Sequence, residues 1–303
     1  GAVLRNKAGE RFVNELLPRD LLTIEIWKQM EKDGTEFVWE DLRTIPEDEL
    51  HEHFPNIIEH CKEIVSQYEK DEVRIVITGD ILHNKLDISG EAYILTSWFL
   101  RQLDKIAKTI VIAGNHDMNM SNLSRLDSLS TIFSLCKFKQ VFYLDKELGY
   151  ESGCMIDENI VWCLYSSFDN FATPNIDDYR QENPDKVFFG LFHGTLSSAR
   201  TDVGYIAENG LEGSYFGDID FCIMGHIHKR QCIKYNGIPM VYCGSLIQQD
   251  HGENISGHGF IKINIEDLDY EEIDIPNDEH GFYTFEINSE EDIDNDIENV
   301  LNI

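Results

Sequence analysis

Gly225-His226-Ile227-His228 places two imidazoles one residue apart, directly after the run Ile219-Asp220-Phe221-Cys222-Ile223-Met224. That run is too short for a helix and reads as a buried strand. Neutral imidazole is the commonest protein ligand for first-row metals, and two rings just past a strand end can turn toward one cavity. Three other apolar runs stop in a similar way. Val73–Thr78 leads into Gly79-Asp80, Thr109–Ala113 into Gly114-Asn115-His116-Asp117, and Val187–Phe192 into His193-Gly194. Open α/β sheets carry their sites outside the carboxyl ends of strands. The carboxylate, amide and imidazole groups of Asp80, Asn115, His116, Asp117, His193, His226 and His228 are therefore expected to meet in one place. Glycine beside them lets the backbone turn without a Cβ clash, so the side chains can face a cavity.

The elements that must hold these loops read as regular α/β from residue 71 onward. Strand 73–78 precedes a helix from about Ser89 to Ala107, whose Ala92, Leu95, Trp98, Phe99, Leu103 and Ile106 fall at helical spacing and belong to a core. Strand 109–113 and a helix near Ser124 to Cys136 follow, then short β segments over 141–172 that include Ile160–Tyr165. Asn170 to Asp185 is polar, holds two prolines and is expected to be an exposed loop. Strands 187–192, 219–224 and 238–243 come next, and a β-rich tail begins at 259. Residues 1–60 have a different character. They predict an amphipathic helix from Leu16 to about Lys32 with Asp20 as N-cap, a short strand at Phe37-Val38-Trp39, and a helix with Ile57, Cys61, Ile64, Val65 and Tyr68 on one face.

At 303 residues, with 42% hydrophobic and 27% charged content, the chain is long enough for one large domain or two medium ones with a sizeable core. No run of about 18 apolar residues appears, so no membrane contact is expected, and the first residues lack the layout of a secretory signal. The seven cysteines include no Cys-x-x-Cys pair, which points to a reducing, cytoplasmic setting and away from a disulfide framework or a zinc knot. The net charge of −31 opposes long-range attraction to a polyanion unless cations cluster or bound metals neutralise phosphate. Much of the excess is local: no Lys or Arg follows Lys262, while acids run from Glu266 to Glu298, as in a solvated acidic segment. The expected division is a leading segment 1–60, a main domain 61–262 and an acidic segment 263–303.

Gly79-Asp80, Gly114-Asn115-His116-Asp117, His193-Gly194 and Gly225-His226-Ile227-His228, in this order on strand ends, resemble the calcineurin-like metallophosphoesterases. Within that superfamily, Gly79-Asp80-Ile81-Leu82-His83, Phe192-His193-Gly194 and the segment Gly244 to Glu253 look most like the SbcD-type DNA repair exonucleases. The resemblance covers roughly residues 60–285. It implies a β-sandwich flanked by helices, and two divalent metal ions, Mn²⁺ above all, sharing Asp80. One ion would be completed by Asn115, His193 and His226, and the second would take His228. Two such ions activate a water nucleophile and stabilise phosphate charge. The resemblance gives His116 the role of general acid or charge stabiliser, with Asp117 orienting its ring, and makes His83, His251 and His258 substrate-side candidates. It also implies DNA as substrate and an SMC-like ATPase partner, and a homodimer is a further expectation.

The chain departs from that family at its start. The Asp-x-His motif that opens the family and completes the His228 metal occurs nowhere before residue 79. Asp48-Glu49-Leu50-His51 and His51-Glu52-His53 lie nearby in a polar, helix-like stretch. Instead, Gly1 to Phe12, Leu17-Pro18-Arg19-Asp20 and His53-Phe54-Pro55-Asn56-Ile57 resemble an internal piece of L-aspartate oxidase, a flavoenzyme in which the arginine matching Arg19 is catalytic. No Gly-x-Gly-x-x-Gly after a strand accompanies that piece, so no FAD is expected. The leading function is a metal-dependent phosphodiesterase of nuclease type. The alternatives are a catalytically impaired single-metal binding or structural protein, and a phosphoesterase of small molecules. A purified chain is expected to be colourless, and flavin absorbance that survives gel filtration would contradict this.

Overall fold

A strand that is apolar at every position needs a packed layer on each face, and the arrangement of sheets supplies both. The computed structural model describes residues 3–14, 19–35, 37–41, 57–83 and 88–276. A three-stranded parallel sheet is formed by β3 (Arg74–Ile77), β4 (Lys108–Val111) and β5 (Val141–Tyr143). A six-stranded sheet has the order β10-β11-β9-β8-β7-β6. Its strands are β6 (Gly153–Asp157), β7 (Ile160–Tyr165), β8 (Val187–His193), β9 (Phe221–Gly225), β10 (Gln231–Tyr235) and β11 (Ile238–Tyr242). Its four inner strands are parallel, and β6 and β10 run antiparallel at the edges. Two further antiparallel pairs form separate two-stranded sheets: β1 (Val3–Arg5) with β2 (Trp39–Asp41), and β12 (Gly259–Ile263) with β13 (Tyr270–Asp274).

Side-chain alternation assigns each residue to a layer. Ile110 and Ile112 of the small sheet share one core with Ile160, Trp162, Leu164, Phe189, Leu191, Phe221, Ile223 and Val241 of the large one, so the two sheets pack face to face. The intervening residues Val161, Cys163, Tyr165, Phe188, Phe192, Cys222, Met224, Met240 and Tyr242 face outward into a second core. Val111 and Ala113 face the other way, onto the helices Ile57–Val65, Gly90–Ile106 and Ser128–Leu135. The result is an α/β sandwich with helices over the small sheet, as the strand-end motifs imply.

Helix boundaries follow local chemistry. Ser89 caps the long helix by accepting from the Ala92 amide, and Asp127 caps Ser128–Leu135 by accepting from Ser130. The helix near Ser124 is therefore shorter than its apolar pattern suggests. The polar stretch 170–185 is not all loop, because Ile176–Glu182 is helical. Its Ile176 is buried, Tyr179 packs on the outer core, and Arg180 is held by Asp218 and Asp220. Seven residues right after Pro174, about two turns, carry too little periodicity to read. At the start of the chain the helix spans Arg19–Asp33, so Asp20 lies inside it and is not its cap, and Leu21, Ile24 and Trp27 are exposed. Residues 48–53, with their His and acid groups, and the acidic end after 276 lie outside the described residues. All seven cysteines are free thiols.

An ion cluster joins the sheets at their amino ends. The Asp157 side chain is 1% exposed. It accepts from Arg74 at the start of β3, from Lys108 at the start of β4 and from Trp162 of β7, at 2.7, 2.6 and 3.2 Å. Burial opposes ionisation of Asp157, but these donors outweigh it and hold the pKa at about 2. The folded-state pKa is depressed, so the ionised carboxylate stabilises the fold above 3.8, and that contribution is lost as pH falls toward about 2. Asp157→Ala leaves two cations at a buried junction. It is expected to lower stability by about 3 kcal/mol at neutral pH, as breaking a buried pair does, read from the urea midpoint. The gap to wild type should narrow at acid pH, and a gap that does not change with pH would contradict the assignment.

Candidate metal centre

Three loops meet where there is no room for a Cβ. A Cβ on Gly79 would sit 2.5 Å from the Gly114 amide nitrogen and 2.7 Å from His193 Nδ1. One on Gly114 would meet Asp80 Oδ1 at 2.1 Å, and one on Gly225 would meet the Thr78 carbonyl at 2.1 Å. Gly79 also has φ +90°, which only glycine adopts without strain. Asp80 (φ +55°) and His226 (φ +90°) are held in the left-handed region as well. Strain of this kind, at non-glycine residues, persists where surrounding structure imposes it and clusters at functional sites.

The carboxyl ends of β3, β4, β8 and β9, drawn from both sheets, thereby bring Asp80, Asn115, His193 and His226 together. His193 Nε2 lies 3.2 Å from Asp80 Oδ2 and 3.0 Å from Asn115 Oδ1. His226 Nδ1 lies 2.8 Å from the same Asn115 oxygen. The ligand-capable atoms of Asp80, His193 and His226 all fall within 4.8 Å of one another. With metal–ligand bonds of about 2.1 Å, adjacent ligands of an octahedral ion stand about 3 Å apart, which matches these separations. The two-nitrogen, two-oxygen donor set suits a divalent ion such as Mn²⁺ or Fe²⁺. The residues therefore fit a metal.

Hydrogen bonding prepares the rings for that role. His193 Nδ1 donates to the Thr78 carbonyl at 2.6 Å, which leaves Nε2 to face Asp80 and Asn115. Burial disfavours the charged form of His193, but Asp80 outweighs it and raises the pKa; Asp80 is correspondingly lowered, its own burial overcome by His193. Burial, reinforced by repulsion from His193, pushes His226 down to about 4, so it is neutral at pH 7 and retains a lone pair.

His116 stands at the rim of this group. Its backbone amide donates to Asp80 Oδ1 at 2.8 Å. Its ring stacks on His83, with centroids 5.3 Å apart and an interplanar angle of 18°, and Nδ1 donates to the His83 carbonyl at 2.7 Å. Asp117 does something other than orient that ring. It is fully buried and accepts from the amides of Asp80, Gly114 and Leu82 at 2.7, 2.9 and 3.1 Å. Burial raises its pKa to about 7. It ties the β3 loop to the β4 loop, and the His83 carbonyl fixes the His116 ring.

His228 lies outside the three-residue metal-capable group. Its Nδ1 pairs at 2.5 Å with Glu253, at the end of the Gly244–Glu253 segment, a residue to which the sequence assigns no role. No local pattern signals Glu253, because the loop after β11 brings it back across 25 positions of sequence. His258 is buried and bridges the Ser245 hydroxyl and the Asn254 carbonyl, a structural position within that loop. His251 is exposed on the same loop.

Residues 49–230 match the family model for calcineurin-like phosphoesterases, and residues 1–93 match that for an FAD binding domain. An uncharacterized protein (R555) of Acanthamoeba polyphaga mimivirus is 36% identical over 245 residues, covering 78% of this chain and 18% of that protein. L-aspartate oxidase of Clostridium acetobutylicum is 39% identical over 61 residues, covering 20% of this chain and 14% of the enzyme. That of Clostridium perfringens is 36% identical over 96 residues, covering 30% and 21%. The chain thus spans about a fifth or less of the length of these curated relatives.

Asp117→Ala tests the scaffold role. It leaves three amides without their acceptor, two of them buried and each of those worth about 1–3 kcal/mol. Stability in urea and Mn²⁺ affinity by calorimetry should fall together. Lost turnover with unchanged stability and metal binding would return Asp117 to the role of orienting His116.

Proposed function

The chain belongs to the calcineurin-like phosphoesterase family, and from that premise we propose a divalent-metal-dependent phosphodiesterase that cleaves DNA, of the SbcD type. The observation that carries the reading is the meeting of Asp80, Asn115, His193 and His226 at the ends of four parallel strands. Asp80 would be the carboxylate shared by two ions, with Asn115, His193 and His226 completing one of them and His228 serving the other. Bound Mn²⁺ ions supply charge neutralisation at the phosphate and an acidified water. They also answer the electrostatic objection raised by a net charge of −31.

The remaining chemistry belongs to the chain. With Nδ1 committed to the His83 carbonyl, His116 can exchange a proton only through Nε2. That atom delivers a proton to the leaving oxygen or stabilises its charge. The stack on His83 limits rotation of the ring, so His83 supports His116 directly. The DNA assignment draws on the motif resemblance in Gly79–His83 and Gly244–Glu253. An ATPase partner remains part of the proposal on the same ground, and a homodimer and the division at residues 60 and 262 are proposed beside it. No helix among the described residues is long and apolar enough to cross a membrane.

A one-ion protein is the second reading. It is favoured by the pairing of His228 with Glu253 and by the lack of an Asp-x-His motif ahead of Asp80. Counting Mn²⁺ per chain separates the two: two ions with nuclease turnover support the first, one ion without turnover the second.

His116→Ala is expected to lower turnover on single-stranded DNA about 10²–10⁴-fold while Mn²⁺ occupancy stays. Asp80→Ala should abolish both. An empty metal site in His116→Ala would contradict the assigned roles, and faster cleavage of aryl phosphates than of DNA by the wild type would move the substrate to small molecules.

A further inference from the structure

β6 ends the large sheet and pairs there with β7, so the two strands form a hairpin at its edge. Asp157 pairs with Ile160 across the turn residues Glu158 and Asn159, which fixes the register of the whole ladder. That register sets Cys154 directly opposite Cys163. Both side chains stand on the outward face of the sheet, in the core that also holds Val161, Tyr165 and Phe188. Their sulfurs lie 3.6 Å apart.

Backbone spacing decides which thiols can be joined. Directly opposed residues of an antiparallel pair have Cα atoms about 4.5–5.5 Å apart, inside the range of about 4.4–6.8 Å that a disulfide spans. Cys222 belongs to the same row, because Gly190 is the partner of both Cys163 and Cys222. It therefore stands two strands from Cys163, roughly 9.6 Å away, and is out of reach.

The two opposed thiols differ in access and in acidity. Cys163 is fully buried, whereas Cys154 lies on the edge strand and keeps 7% of its surface. Ile156, two residues on and so on the same face, is 49% exposed, which brings solvent to that edge. Hydrogen bonding with Cys163 holds the Cys154 thiol below its ordinary value against its burial. The same contact, together with burial, pushes Cys163 up. The thiolate is the reactive form of cysteine, so Cys154 is the nucleophile of the pair.

We propose that Cys154 and Cys163 form a modification site, a dithiol that hydrogen peroxide closes into a cross-strand disulfide. The Cys154 thiolate attacks a peroxide oxygen and the O–O bond breaks. The departing oxygen takes up the proton that the thiol released, giving a sulfenic acid and water. The Cys163 sulfur then attacks the Cys154 sulfur, the S–O bond breaks, and the Cys163 proton leaves with the hydroxyl as a second water. Two thiols give up two electrons and one peroxide becomes two waters. The bridge ties the edge strand covalently to its neighbour, three residues before the Asp157 that accepts from Arg74 and Lys108. No metal ion or substrate enters this chemistry.

The test is oxidation of the folded full chain with hydrogen peroxide, then blocking of free thiols, unfolding and cleavage after Glu158. The expected product is a peptide pair linked through Cys154 and Cys163, two hydrogens lighter than its reduced parts, from which dithiothreitol recovers both thiols. Cys163→Ser should stop at a Cys154 sulfenic acid that dimedone captures, and Cys154→Ser should give no dimedone adduct at Cys163. The bridged chain should unfold at higher urea than the reduced one, because the bridge restricts the unfolded chain, and neither variant should show that shift. Both thiols surviving while other cysteines oxidise, or a bridge from either to a different cysteine, would overturn the proposal. So would sulfinic acid in place of the bridge, dimedone capture at Cys163, or a urea midpoint that oxidation leaves unchanged or lowers.

Discussion

Everything at the site depends on how closely three loops approach one another. Gly79, Gly114 and Gly225 each stand where a single added carbon would collide with backbone or with Asp80. Protein interiors do not yield to such overlaps by small adjustments. The absence of these side chains is what lets strand ends from two different sheets converge within hydrogen-bonding distance. Asp80 and His226 then adopt unfavourable backbone angles because that convergence leaves them no others.

The second requirement is electrostatic. Anionic and imidazole groups gathered at a partly buried spot repel or neutralise one another unless each is given a partner. Asp117 resolves part of this by accepting three amides, so that it braces the Asp80 loop and takes no place in the coordinating set. The Thr78 carbonyl commits one nitrogen of His193, and the His83 carbonyl commits one of His116. Backbone carbonyls thereby decide which face of each ring is chemically available. At the opposite ends of the strands, Arg74, Lys108 and Asp157 lock the two sheets in register, so the loops have a rigid base.

Much of this was legible in the sequence. Runs apolar at every position announced strands buried on both faces, and the polar residues at their ends announced a shared site. The long helix was readable from its spacing. What could not be read depended on contacts distant in sequence. Nothing near Asp117 says that its carboxylate will be spent on amides, one of them 37 positions earlier. Glu253 gave no hint of meeting His228, and the seven residues of Ile176–Glu182, about two turns, carry too little periodicity to separate them from a polar loop. The chain's first segment was legible in another way. Its likeness to L-aspartate oxidase is borne out as a partial match, while its apolar Leu21, Ile24 and Trp27 are exposed.

The central claim is that one cation sits among residues delivered by separate strands. Anomalous diffraction at the manganese edge, from crystals grown with Mn²⁺, tests it most directly. The account predicts a peak within bonding distance of Asp80, Asn115, His193 and His226 together. Manganese bound only elsewhere, with these four side chains contacting no ion, would contradict it.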